Sequence, residues 1–202
     1  MSEDPRSLSE DPRSLSEERS DESKRPAHEQ RRPGGAEPPE ARDDSADPTA
    51  RVRAAASARG LDIELRRRPD AHSLAEAAAL MGLQPADIVK TLVVKRHDGG
   101  YLYALIPGDR AISWPKLRTV VGVNRLRMPE PELALEATGY ARGTIVPIGA
   151  TNDWPVYADA EIVGRRIAMG AGARGYSLFV QADALIAAYQ ATVADISQPA
   201  DA

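Results

Sequence analysis

No cysteine occurs in this chain of 202 residues. That single absence removes disulfides, thiolate metal ligands and a cysteine nucleophile together, and leaves any chemistry to other groups. Histidine is nearly as scarce: of three, only His72 and His97 lie beyond the first 50 residues. They form no H-x-x-x-H pair, so no metal site is expected, and no cofactor. Long apolar runs are missing as well. No stretch reaches the ~18 apolar residues of a membrane span, and the charged N-terminus lacks the ~7–15-residue apolar segment of a signal peptide. A soluble, cytoplasmic protein with no membrane partner is the expectation. Ser73, Ser113 and Ser177 stand outside any G-x-S-x-G frame, which argues against a serine-centred triad.

The length suits one ordinary domain plus a tail. Residues 2–8, Ser-Glu-Asp-Pro-Arg-Ser-Leu, recur unchanged at 9–15, and the chain stays rich in Ser, Pro, Glu, Asp, Arg and Gly to about residue 50. Apart from Met1, Leu8 and Leu15 are its only large aliphatic side chains. Ordering such a segment costs backbone entropy with no apolar burial to offset it, so residues 1–50 are expected to be a disordered, low-complexity tail and residues 51–202 the domain. Charge divides at the same place. Residues 1–50 carry 8 Lys/Arg and 14 Asp/Glu, whereas residues 51–202 carry 18 and 16 and are slightly basic. That balance permits local contact with a nucleic acid but falls short of a strongly basic groove.

Within the domain, Val52, Ala55 and Ala56 sit in an alanine-rich run that stops at Gly60, a helix with a glycine at its end. Ile63 and Leu65 alternate with polar neighbours as in a strand, and Ser73-Leu74-Ala75-Glu76 has the spacing of a capped helix with Leu74, Ala77, Ala78 and Met81 on its buried face. After Gly82 and a turn at Pro85, Ile88 to Lys95 reads as a β-branched strand. Asp98-Gly99-Gly100 turns it into a second strand, Tyr101 to Ile106. A helix is expected over Ser113–Val121 and a short strand over Arg125–Met128. Beyond Gly139 the apolar runs 144–148, 156–162, 166–169 and 177–180 are separated by glycines and prolines and read as sheet. A closing helix over Asp183–Gln190 and a last strand over Thr192–Ile196 complete the map. Strands and helices are interspersed without a βαβ rhythm, which predicts an α+β domain with a mixed, partly barrel-like sheet.

Gly170-Ala171-Gly172-Ala173-Arg174-Gly175 matches G-x-G-x-x-G, yet a strand-like run follows it and too little chain remains for a dinucleotide fold. A tight turn and a backbone loop facing an anionic or carbonyl oxygen are equally open on the residues alone. Two further segments precede this loop: Met81-Gly82-Leu83-Gln84-Pro85 leading into Ile88-Val89-Lys90-Thr91-Leu92-Val93-Val94, and Thr138-Gly139-Tyr140-Ala141-Arg142-Gly143-Thr144-Ile145-Val146-Pro147-Ile148-Gly149. In order and interval the three are similar to the "lG…p…vvKTLv", "tGy..Gg.sP.g" and "sgGkrG" elements of the YbaK/ProX family, free-standing relatives of the editing domain inserted in bacterial prolyl-tRNA synthetases. The resemblance covers roughly residues 52–197.

It implies a deacylase that hydrolyses the ester joining a wrong, small amino acid to the 3′ end of the proline tRNA, without a metal. Carried over residue by residue, it places catalysis at Lys90 and the substrate pocket at Thr91, Gly143, Thr144, Pro147, Gly170, Gly172 and Ser177. Family members acting on Cys-tRNA are expected to carry glycine where this chain has Thr144, serine where it has Gly170 and aspartate where it has Ser177, so the amino acid removed stays open. An activated ester needs positioning, an attacking water and stabilisation of the oxyanion. Lys90 and free N–H groups at Gly170–Gly172 are the expected suppliers, and the want of an obvious general base favours assistance by a ribose hydroxyl of the tRNA. Of the scattered cations Arg66, Arg67, Arg68, Lys95, Arg96, Arg165, Arg166 and Arg174, the two chosen as tRNA-binding are Arg68 and Arg174. Tyr140 and Trp114 are candidates to stack on the terminal adenine, with core packing the expectation for Trp114. The partners implied are mischarged aminoacyl-tRNA and an aminoacyl-tRNA synthetase. The rival reading is a non-catalytic module of the same fold that holds an aminoacyl end or a synthetase.

Overall fold

The computed structural model describes residues 48–200, all within one compact unit. The expected tail lies outside the described residues, except that its last three already belong to the first helix. The elements run α1 (Pro48–Ala58), β1 (Ile63–Arg67), α2 (Leu74–Met81), β2 (Val89–Arg96), β3 (Tyr101–Pro107), β4 (Arg110–Ile112), α3 (Trp114–Val121), β5 (Leu126–Arg127), α4 (Pro131–Thr138), β6 (Val156–Asp159), β7 (Arg166–Gly170), β8 (Tyr176–Gln181), α5 (Ala182–Ala188), β9 (Thr192–Ala194) and β10 (Ser197–Pro199). Five strands form a mixed sheet in the order β5-β2-β3-β6-β9, with β6 parallel to both of its neighbours. A second, antiparallel sheet has the order β1-β8-β7, and β10 pairs with β4 alone. The α+β expectation with a mixed sheet holds, and none of the three sheets closes into a barrel.

The β2–β3 hairpin divides the core because side chains of a strand alternate between faces. Val89, Val93, Tyr103 and Leu105 join a large cluster with α1, α5 and the second sheet, through Val52, Ile167, Leu178 and Leu185. Leu92, Val94, Leu102, Ala104 and Ile106 face the other way onto Leu117 of α3 and Ile196. Lys90 has the parity of this second face, at the end where the apolar cover stops.

Local signals worked where chemistry forced them. Ser73 caps α2 by accepting from the Glu76 N–H at 3.1 Å, while the Glu76 carboxylate reaches back one residue further than expected, to the His72 N–H at 2.8 Å. Leu74, expected inside, is 37% exposed: α2 buries only Ala77 and Ala78 fully. Residues 144–148 are a correction, since they form a loop rather than a strand. Their burial comes from being wedged into the large cluster through Ile145, Val146 and Ile148. The run 156–162 breaks at Asp159, whose carboxylate accepts from the Glu161 N–H and opens a 3-10 turn over Ala160–Ile162. The strand expected over Thr192–Ile196 stops at Ala194.

Candidate functional site

β2 keeps β3 along one edge for its whole length, but its other edge has two different neighbours. At its start it meets β7 through a parallel bridge between Ile88 and Ala168; at its end it meets β5 through Lys95 and Arg96. Between these points the sheet is split. A cavity of about 720 Å³ fills the split, lined by β2 from Val89 to Val93, by Met128–Pro131 between β5 and α4, by Arg142, Gly143 and Ile145, and by Gly170 and Ser177 of the second sheet.

Gly170 shows what holds the walls apart. A Cβ at this position would lie 2.5 Å from the Ile145 carbonyl oxygen and 2.6 Å from that of Thr144. The end of β7 is therefore pressed onto the 144–145 backbone rather than onto β2, an approach that only glycine permits. Gly143, at φ +88°, makes the turn that presents this loop, in the left-handed region that glycine enters freely.

Of the residues singled out from the sequence, Lys90, Thr91, Gly143, Gly170, Ser177 and Arg68 come together on the cavity. Thr144, Pro147, Gly172 and Arg174 do not line it. Thr144 is buried beneath the loop, its hydroxyl donating to the Ala141 carbonyl at 2.8 Å and its own carbonyl accepting from the Gly172 N–H at 2.9 Å. The Gly172 N–H, expected to face an oxyanion, is thus already spent. Pro147 is buried with its neighbours, and Arg174 is exposed on the turn between β7 and β8.

Lys90 is exposed, yet its ammonium is not loose. It donates to the Gly108 carbonyl at 3.0 Å and to the Arg110 carbonyl. An ammonium has three N–H donors, so one remains for a further acceptor. Partial desolvation of the ammonium holds it below the usual lysine range, and the nearby Asp109 carboxylate pulls the other way. The Gly108 carbonyl lies in the turn before β4 and the Arg110 carbonyl at its start, and β4 is itself pinned from the far end of the domain: the Arg110 guanidinium donates to the Ser197 hydroxyl at 2.6 Å. Lys116 donates to the Ser197 carbonyl at 2.9 Å and to both Asp195 carboxylate oxygens.

The cations sort by partner. Arg66 and Arg166 share Glu64, Arg96 pairs with Asp98 and Arg165 with Asp87, while Arg67 lies over Tyr176 and Lys95 over Tyr101. Arg68 and Arg174 have no ion pair among the described residues. Arg142, passed over in the sequence, has none either and lines the cavity with Arg68. Glu130, also passed over, is the one carboxylate among the lining residues; it is the N-cap residue of α4 but its side chain makes no cap hydrogen bond. Nothing in the local pattern marks either residue, because what gathers them is the split between strands distant in sequence. Tyr140 is corrected: it is 1% exposed, donates to the Ile148 carbonyl and lies under the Arg51 guanidinium, so no base can stack on it. Among the described residues no group of three His, Asp or Glu is placed to hold a metal ion.

The model of the aminoacyl-tRNA editing domain matches residues 68–188, the span that contains this cavity. The proline–tRNA ligase of Heliobacterium modesticaldum is 35% identical over 119 residues, 58% of this chain and 20% of the ligase. That of Desulfovibrio desulfuricans is 42% identical over 100 residues, 48% of this chain and 16% of the ligase. The chain spans about a fifth or less of the length of these relatives. A solved structure described as a candidate trans-editing enzyme for prolyl tRNA synthetase matches over 76% of this chain and 98% of its own, with 28% identity and a TM-score of 0.69. With the family match covering more than half of the residues, the chain belongs to the aminoacyl-tRNA editing domain family.

Proposed function

We propose that this protein acts as a trans-editing deacylase that removes a small amino acid from mischarged tRNA, tRNA for proline being the favoured carrier, and that residues 51–202 suffice for it. The observation that carries the proposal is the split between β2 and β7, where Lys90, Thr91, Gly143, Gly170 and Ser177 share one cavity with the guanidinium groups of Arg68 and Arg142, which have no ion pair among the described residues. Its volume of about 720 Å³ lies in the range of sites for whole small ligands, ~300–1,000 Å³, and suits the aminoacyl group together with its terminal adenosine. Supporting it are the family itself and the likeness to a structure described as a candidate trans-editing enzyme for prolyl tRNA synthetase.

In this reading water attacks the ester carbonyl, the carbonyl electrons move onto its oxygen, and collapse of that tetrahedral species expels the ribose oxygen. The proton given up by the water ends on that ribose oxygen, leaving free amino acid and intact tRNA. The chain's part is to hold the ester, the ammonium of Lys90 lending its third N–H to a substrate oxygen, and to shield it from bulk water. No metal is assigned a role. The neighbouring ribose hydroxyl helps the attack, and Arg68 and Arg142 meet phosphates at the mouth, with Arg174 outside it.

A panel of tRNAs mischarged with alanine, serine, cysteine or threonine tests the proposal. At least one is expected to lose its amino acid faster than it does spontaneously, and a matched substrate ending in 2′-deoxyadenosine is expected to be cleaved much more slowly. Hydrolysis of none leaves a non-catalytic module that binds aminoacyl ends or a synthetase. The pH profile adds a second check, for which spontaneous hydrolysis is subtracted. Asp109 raises the Lys90 value against the lowering by partial desolvation, so Asp109→Asn brings it down further. Deacylation that needs the ammonium is lost as pH rises through that value; the alkaline limb of the rate is expected to move to lower pH in Asp109→Asn, and an unmoved limb means that Lys90 does not act as a cation.

A further inference from the structure

Hydrogen bonding along a ladder alternates, so a few bonds settle where every main-chain group of β2 points. The Arg96 N–H donates to the Gly100 carbonyl at 2.8 Å, on the hairpin side. Stepping back by twos, Val94, Leu92 and Lys90 also turn their N–H and C=O groups to β3. Tyr103 agrees: its N–H leaves β2 and donates to the Pro155 carbonyl at 2.8 Å, so its register partner Val93 also faces away from the hairpin. Val89, Thr91, Val93 and Lys95 therefore present their main-chain groups to the opposite edge. β5 takes Lys95 there, and β7 meets the edge at the bridge flanking Val89. Thr91 lies in the gap, with no strand beside it among the described residues.

The facing wall follows the same logic. The Ala182 N–H donates to the Arg165 carbonyl at 2.9 Å, in register with the β7–β8 ladder, so Ile167 and Met169 bond toward β8. Ala168 and Gly170 turn away from β8, toward β2. Were the β2–β7 pairing to continue past Ala168, its next rung would join the Gly170 N–H to the Val89 carbonyl, and the rung after it the Thr91 N–H to the Gly170 carbonyl. That rung is not made, because Gly170 is held against residues 144–145, and both residues line the cavity. The Thr91 hydroxyl is also buried, with no hydrogen-bond partner among the described residues.

A hydrogen-bonded antiparallel pair exchanges both of its bonds between just two residues, so a single amino acid is enough to complete one. We infer that the open edge of β2 at Thr91 is the subsite for the main-chain atoms of the aminoacyl group. The ester carbonyl accepts from the Thr91 N–H and the α-ammonium donates to the Thr91 carbonyl, as one added residue of an antiparallel strand. This rests on the deacylase reading and replaces the glycine loop by a strand edge as the main oxyanion donor. The direction is also set. An aminoacyl group running against β2 has its ester toward Val89 and Lys90, and its side chain is left to the cavity walls. The ribose then departs from the end of β2 where the ammonium is held.

Two measurements test it on the full chain. In the first, the ¹⁵N-labelled protein is titrated with a non-hydrolysable 3′-aminoacylamino-3′-deoxyadenosine carrying the amino acid removed in the mischarged panel. The Thr91 amide is expected to move downfield and to exchange its proton more slowly, whereas the same probe lacking its α-amine weakens the effect and 3′-amino-3′-deoxyadenosine gives none. In the second, an α-hydroxy acid replaces residue 91 in the Thr91→Val background, turning the N–H into an oxygen. Deacylation is expected to fall about 100-fold below Thr91→Val itself, the loss seen when an oxyanion donor is removed. If the Gly143 and Ser177 amides shift with the probe while that of Thr91 does not, the inference fails and the deacylase reading stands. If the panel shows no hydrolysis, both fail together. An ester variant that does not fold leaves the amide shift to decide.

Discussion

Replacing Lys90 by alanine is expected to slow deacylation of the susceptible mischarged tRNA about 100-fold or more, the size of effect found when a preorganised donor to a developing oxyanion is lost. Lys90 is exposed and its side chain belongs to neither apolar cluster, so the same change is expected to leave the thermal transition within a few degrees of the parent. Activity and folding are thereby separated. Arginine is not expected to rescue: the ammonium is a compact charge seated between the Gly108 and Arg110 carbonyls, and a planar guanidinium makes a different pattern of bonds. Single-turnover rates of Lys90→Ala and Lys90→Arg, beside their melting curves, decide the matter. Lys90→Ala working at the parental rate would remove Lys90 from the chemistry, however well placed it is.

Gly170→Ala is expected to act in the opposite way, on folding first. Its Cβ would meet two carbonyl oxygens at 2.5 and 2.6 Å, and both belong to backbone that is anchored in the core through Ile145 and Val146. Neither can give way as the tip of a flexible side chain would. The cost is put at about 3 kcal/mol, the upper part of the usual range for overpacking. For a domain of this size that corresponds to a fall in Tm of about 6–12 °C. A shift of a degree or less would mean that β7 and the 144–145 loop are not in close contact, and with it the explanation of why the sheet splits would fall.

Much of the fold was legible because local chemistry spoke for it. The β2–β3 hairpin follows from two β-branched or aliphatic runs about Asp98-Gly99-Gly100, and α2 from Ser73 and Glu76. What stayed hidden was structure whose cause is remote. Residues 144–148 are apolar enough for a strand, but they are buried by the large cluster rather than by pairing, and periodicity cannot tell these apart. β4 and β10, Arg-Ala-Ile and Ser-Gln-Pro, are too short and too polar to announce themselves. The site divides in the same manner. Lys90 and the glycine segments were reached through a family likeness, residue by residue. That likeness also pointed to Thr144, Pro147 and Gly172, which lie behind the cavity wall, and passed over Arg142 and Glu130, which lie on it. Proximity across the split between β2 and β7 is a property of the sheet order, and no spacing along the chain encodes it.

The tie between Arg110 and Ser197 also sets a schedule. It spans 87 residues, and the small sheet that it fastens gives β4 its strand neighbour, β10. During synthesis, which proceeds from the N-terminus at ~5–20 residues per second, Lys90 has left the ribosome seconds before residue 197 does. Through that interval the Arg110 carbonyl, one of the two that seat the ammonium, lacks the strand that steadies β4. The pocket around Lys90 is therefore among the last parts of the domain to be finished.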